Sequence, residues 1–179
     1  MIKQAIFIIG FSGSGKTTVG LEVSRLLEWE FIDIDQHIVD QINKPIQEIF
    51  KLNNGEQYFR ELEKSTLKEI LQSKNQVIST GGGIILDKEN LKFMLDNGYV
   101  ICLDADPATI LNRLTLESLS QKNIVRPLLN SNRQLEKIIE LKNQRDYIYR
   151  KADYIIKTDY LTPLEVSNEI IKIWQYISS

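Results

Sequence analysis

Nine consecutive residues, Gly10-Phe11-Ser12-Gly13-Ser14-Gly15-Lys16-Thr17-Thr18, carry the densest chemistry in this chain. They fit G-x-x-x-x-G-K-T, a loop whose backbone N–H groups can wrap a phosphate chain. Gly13, Ser14, Gly15, Lys16, Thr17 and Thr18 are therefore the candidate contacts for the phosphates of a nucleoside triphosphate. Lys16 supplies a mobile cation for the β- and γ-phosphates, and Thr17 a hydroxyl for Mg²⁺. The flanks support this reading. Ala5-Ile6-Phe7-Ile8-Ile9 reads as a buried strand, and Val19, Val23, Leu26 and Leu27 recur at helical spacing. The loop thus opens a helix whose positive dipole end faces the bound anion.

A phosphate-binding loop does not say which reaction follows, and three further features narrow it. Asp33 and Asp35 lie in Asp-Ile-Asp at the end of a second apolar run, Glu30-Phe31-Ile32-Asp33. Ligands of an open parallel sheet bind beyond the carboxyl ends of its strands, so these carboxylates could serve a metal-bound phosphate and an acceptor hydroxyl. Either could equally cap a helix, and Asp35 could do both. Gly81-Gly82-Gly83 follows a third strand, Gln76–Ser79, and allows close backbone approach. Arg60, Arg126 and Arg145 stand in three separate segments and offer paired donors to carboxylate or phosphate.

The elements that must position these groups alternate along the chain. Helical periodicity covers a block with Ile38, Ile42, Ile46, Ile49 and Phe50, interrupted at Pro45, and then Glu56–Leu71 after the turn Asn53-Asn54-Gly55. Lys88–Asp96, Pro107 to about Leu116, Leu135 to about Tyr149 and Thr162–Ile177 read as further helices. Tyr99–Leu103 and Asp153–Lys157 read as the remaining strands. Alternation with short connections predicts an α/β sandwich around a parallel sheet. Glu117–Arg133 loses periodicity and is a candidate lid, because long irregular loops in compact domains are usually functional.

Composition sets outer bounds. The chain has 179 residues, is 42% hydrophobic and 26% charged, and carries a net charge of −2, which fits one domain with no general affinity for nucleic acid or anionic membrane. The N-terminal apolar run is too short for a signal peptide, and no stretch approaches bilayer length. The single cysteine, Cys102, cannot form an internal disulfide and reads as a small core residue, in keeping with a reducing compartment.

Taken together, the chain resembles the shikimate kinases, which are small P-loop kinases. The resemblance rests on Gly10–Thr18, Phe31-Ile-Asp-Ile-Asp35, Phe59-Arg60-x-x-Glu63, Thr80-Gly81-Gly82-Gly83, Arg126-Pro127-Leu128-Leu129 and Arg145-Asp146-x-x-Tyr149, in this order and spacing. It implies a three-layer, nucleoside-monophosphate-kinase-like fold with a five-stranded parallel sheet in the order 2-3-1-4-5. It implies a single domain over residues 1–179, with a substrate-binding segment at about 34–60 and a lid at about 117–133. The implied reaction is Mg²⁺-dependent transfer of the ATP γ-phosphate to the 3-hydroxyl of shikimate, in aromatic amino-acid biosynthesis. The resemblance further implies a cytoplasmic enzyme, expected to be a monomer, with ATP and shikimate as its small-molecule partners.

The implied roles follow residue by residue. Gly13 to Thr18 would hold ATP, with Thr17 on Mg²⁺ and Asp33 supporting the metal through water. Asp35 would accept the substrate hydroxyl proton. Arg60 and Arg145 would clamp the substrate carboxylate, with Gly82 adding backbone contacts. Lys16 and Arg126 would attend the transferred phosphate. Many members carry an arginine in the first lid segment that stacks on adenine. Residues 117–125 hold none here, and Arg113 is the candidate substitute. The alternatives are another small-molecule P-loop kinase, such as a gluconate or nucleoside monophosphate kinase, and a GTPase-type switch. The switch would require Asn-Lys-x-Asp, whereas Asn43-Lys44 is followed by Pro45-Ile46. Lone His37 reads as a helix-surface residue.

Overall fold

In the computed structural model the first apolar run forms the central strand, β1 (Ala5–Gly10), buried at every position. The structure describes residues 5–71, 75–120 and 133–178. β1 pairs in parallel with β3 (Gln76–Ser79) on one side and β4 (Gly98–Asp104) on the other. β2 (Glu30–Asp33) extends the sheet beyond β3, and β5 (Tyr154–Lys157) beyond β4. The order is β2-β3-β1-β4-β5, all parallel, as the resemblance implied.

Both faces of this sheet are covered, which is why its central strands are apolar without alternation. Ala5, Phe7 and Ile9 of β1, with Val100 and Cys102 of β4, point to one core. There they meet α2 (Ile34–Ile42), α4 (Gly55–Ile70), α5 (Lys88–Asn97) and the end of a later helix. Ile6, Ile8, Ile101 and Leu103 point to the other, against α1 (Lys16–Leu27) and the closing helix, Pro163–Ser178. Cys102 is buried as expected, and burial pushes its thiol up to about 12.

The turn signals act where expected. α2 ends at Asn43 in the left-handed conformation, and Pro45 opens a short helix, α3 (Ile46–Phe50). After β4 come α6 (Pro107–Ser120) and α7 (Gln134–Tyr149), and after β5 the closing helix is α8. A small third core (Phe11, Ala105, Ile110, Ile138) binds α6 and α7 to the phosphate-binding loop.

One boundary differs from the sequence reading. Glu117–Ser120, expected to begin the irregular lid, is the last turn of α6. Leu116 and Leu119 there are 58% and 75% exposed, so no buried face marks the turn as helical. The helix propagates instead by backbone bonding, with the Thr115 and Ser118 hydroxyls donating back to the carbonyls of Leu111 and Thr115. The rest of the expected lid, residues 121–132 with Arg126, lies outside the described residues.

Candidate active site

The carboxyl ends of the strands open into a cleft of about 830 Å³. The phosphate-binding loop forms its floor. Gly15 is the N-cap of α1, in the left-handed conformation at φ 98°, and as a glycine it gives the first turn no side-chain cap. α2, α5 and α8 carry side-chain caps, with Asp33 accepting from Gln36 N (3.2 Å), Asp87 from Glu89 N (2.7 Å) and Thr162 from Glu165 N (3.3 Å), whereas α3, α4 and α7, like α1, carry none. Uncapped N–H groups at the positive end of a helix dipole form a ready anion site. Lys16 is buried, and its Nζ donates to Phe11 O at 3.0 Å, folded over the loop it would serve.

Beside the loop, Thr17 Oγ1 donates to Asp33 Oδ2 at 2.7 Å. Of the two aspartates open to the capping reading, Asp33 is the cap of α2. Asp35 sits in the first turn and lines the cleft. Among the described residues no group of three or more His, Cys, Asp or Glu side chains gathers into a metal cage. The Thr17–Asp33 pair is nonetheless a hard-oxygen donor set, of the kind that suits Mg²⁺ held mainly by phosphate and water.

The other end of the cleft is built from side chains on distant segments. Arg60 of α4 donates through Nη1 to Glu63 Oε2 at 2.6 Å and lies 3.5 Å from Glu56. Arg145 of α7, only 8% exposed, donates to Gly82 O at 3.2 Å and lies over the Phe11 ring at 5.7 Å. The glycine run makes this possible. A Cβ at Gly81 would stand 2.6 Å from Glu63 Oε1 and 2.7 Å from Asp35 Oδ1, and one at Gly83 2.5 Å from Arg60 Nη1. The glycines thus let two carboxyl groups and a guanidinium close on the backbone.

Three residues with parts in this geometry, Glu63, Tyr149 and Asp104, were given none by sequence reasoning. Glu63 is fully buried, and its Oε1 has no hydrogen-bond partner. Burial pushes its carboxyl up to about 7 against the pull of Arg60, with Asp35 adding to the rise. Its signal was the i, i+3 spacing after Arg60, already part of the quoted motif. Tyr149, also in a quoted motif, donates to Gly82 O at 2.9 Å, and burial raises its phenol. Thr158 holds Arg113: Nη2 donates to Thr158 O at 2.7 Å and Nη1 to its Oγ1 at 3.0 Å. Arg113 also reaches Ser14 O at 3.2 Å, which sets it at the loop's outer end beside Leu161 and Pro163. Asp104 pairs with Lys142 and Lys157.

One cleft therefore joins a glycine-capped helix N-terminus and Lys16 to Asp35, Arg60 and Arg145. A shikimate kinase family model matches residues 12–175. The chain belongs to the shikimate kinase family. The shikimate kinase of Persephonella marina is 43% identical over 93% of this chain and 96% of its own length. That of Thermodesulfovibrio yellowstonii is 40% identical over 97% and 96%. A solved shikimate kinase of Acinetobacter baumannii, in complex with shikimate, superposes with a TM-score of 0.88 at 32% identity, covering 97% of this chain and 94% of that one. As a shikimate kinase family member, the chain brings together Lys16, Thr17, Asp33, Asp35, Arg60, Gly82 and Arg145 around one cleft.

Proposed function

We infer that this chain is a shikimate kinase: it transfers the γ-phosphate of ATP to the 3-hydroxyl of shikimate, giving shikimate 3-phosphate and ADP. The observation that carries the reading is that one cleft is lined by the phosphate-binding loop with Lys16 and by Asp35, Arg60 and Arg145. Shikimate has one carboxylate and three hydroxyls, which this arrangement suits. The family and its relatives supply the rest of the support.

In this reading Gly13 to Thr18 hold the triphosphate, and Lys16 leaves Phe11 O to follow the moving charge. Thr17 and, through water, Asp33 would hold Mg²⁺, which when bound neutralises phosphate charge. Asp35 orients the acceptor hydroxyl and takes its proton, while Arg60 and Arg145 pair with the carboxylate and Gly82 lines the same pocket. Arg126 would reach the transferred phosphate from the lid. Arg113, pinned by Thr158, would form one wall of the nucleoside end. We read the chain as one domain, with the substrate segment at about 34–60, the lid at about 117–133, and a cytoplasmic monomer as the working form. No helix among the described residues is long and apolar enough to cross a membrane.

ADP release with Mg²⁺ and ATP, comparing shikimate, gluconate and nucleoside monophosphates, tests the assignment. Turnover with shikimate alone is expected. Turnover with another acceptor and none with shikimate would discard the substrate while keeping the kinase fold.

A further inference from the structure

Asp104 is the last residue of β4, on the same edge of the sheet as the phosphate-binding loop. Its two carboxylate oxygens are divided between two elements. Oδ1 pairs with Lys142 Nζ of α7 at 2.6 Å, and Oδ2 with Lys157 Nζ of β5 at 2.5 Å. Burial works against its charge, but the two ammonium groups outweigh it and hold the carboxyl below its usual range. The partners differ in surroundings. Lys142 is 16% exposed and Lys157 65%, so the pair with α7 is the better shielded and the pair with β5 is worth little. Neither Asp104 nor Lys142 lines the cleft.

The C-terminal end of α7 is tied down by buried Ile148 and Tyr149 and by the bonds of Arg145 and Tyr149 to Gly82 O, and Asp104 adds an anchor near the middle of the helix. Its hydrophobic periodicity is weak, and Ile138 is the one fully buried apolar side chain of its first half. Arg145 lies three residues beyond Lys142, about one turn along the same face. A guanidinium meets a carboxylate through directional, paired bonds, so a small rotation of the helix misaligns it. We propose that Asp104 is a positioning residue for the substrate end of the cleft: by holding Lys142 it sets the rotation and depth of α7 and so the reach of Arg145. This rests on the reading that Arg145 pairs with the substrate carboxylate.

Steady-state kinetics with shikimate and ATP varied separately test it, on Asp104→Asn, Lys142→Met, their double variant, Asp104→Glu and Arg145→Ala. Asp104→Asn and Lys142→Met should each raise the shikimate KM roughly three- to tenfold, with kcat and the ATP KM within about twofold. The double variant should be no worse than the weaker single, and Asp104→Glu should recover part of the loss. A merely structural role would lower the folded fraction, and hence apparent kcat, without moving KM. Lys142→Met keeps the Asp104–Lys157 pair and carries the test if Asp104→Asn fails to fold. An unchanged shikimate KM in Lys142→Met, an equal rise in the ATP KM, or additive effects in the double variant overturn the proposal. If Arg145→Ala raises the shikimate KM while the other variants do not, the clamp stands and the positioning role falls. If Arg145→Ala leaves it unchanged, both fall.

Discussion

The two ends of the cleft are built on opposite principles. The phosphate end is nine contiguous residues, working mainly through backbone N–H groups and a left-handed glycine, with Lys16 resting on a carbonyl five residues away. The end that we propose takes the substrate draws Asp35 from α2, Arg60 and Glu63 from α4, Gly81–Gly83 from the turn after β3, and Arg145 and Tyr149 from α7. Apart from the glycine turn its groups are side chains, with Arg60 holding Glu63 and both Arg145 and Tyr149 bonded to Gly82 O. A backbone site is recovered wherever the loop forms. A side-chain site exists only when several helices pack correctly, and it brings charges into low dielectric where their balance matters.

Substitutions at each end should break this contrast in different ways. The largest effect is expected at the junction: Asp35→Asn should cut kcat by roughly 10²–10⁴ with little change in ATP affinity, measured by steady-state kinetics and nucleotide titration. Near-normal turnover would remove Asp35 from the reaction. Next, Arg145→Ala should raise the shikimate KM by roughly 10- to 100-fold, because a charge-assisted pair is lost and Gly82 O and Tyr149 lose a neighbour. An equal rise in the ATP KM would erase the separation of the two ends. Arg113→Ala should do the converse, raising the ATP KM by roughly threefold to tenfold and sparing shikimate. An unchanged ATP KM would take Arg113 out of the nucleoside wall.

The smallest effect concerns stability rather than turnover. Glu63 has its folded-state pKa raised from 4.5 to about 7, so the folded protein retains a proton that the unfolded chain releases. Its contribution is full below 4.5 and is lost as pH rises to about 7, by no more than about 3 kcal/mol. Glu63→Gln should therefore flatten the fall of Tm between pH 4.5 and about 7, the window set by the two pKa values. A fall in Tm as steep in the variant as in the parent would show that Glu63 ionises freely in the fold.

How legible each end was in the sequence follows from the same contrast. The phosphate-binding loop and its flanking strand and helix could be read from adjacent residues. So could the block broken at Pro45. The arginines of the substrate end could be named but not paired, since nothing local says that Arg145 and Gly82 meet across sixty-three positions. Glu63 was visible only as a motif letter; its perturbation comes from the burial that α4, the glycine turn and Asp35 create together. The final turn of α6 was missed because it has no buried face to impose a period.

What the sequence determined by itself was whatever depends on neighbours along the chain: a glycine-rich loop able to bind phosphate, strands apolar enough to be covered on both faces, and helices broken where proline or a left-handed residue demands it. Tertiary structure alone decided which of two aspartates caps α2, which carboxyl of the site is held up to about 7, and that Asp104 is shared between α7 and β5. Those outcomes depend on desolvation and on pairings between distant segments, and both arise only when the sheet brings the ends of its strands to one edge.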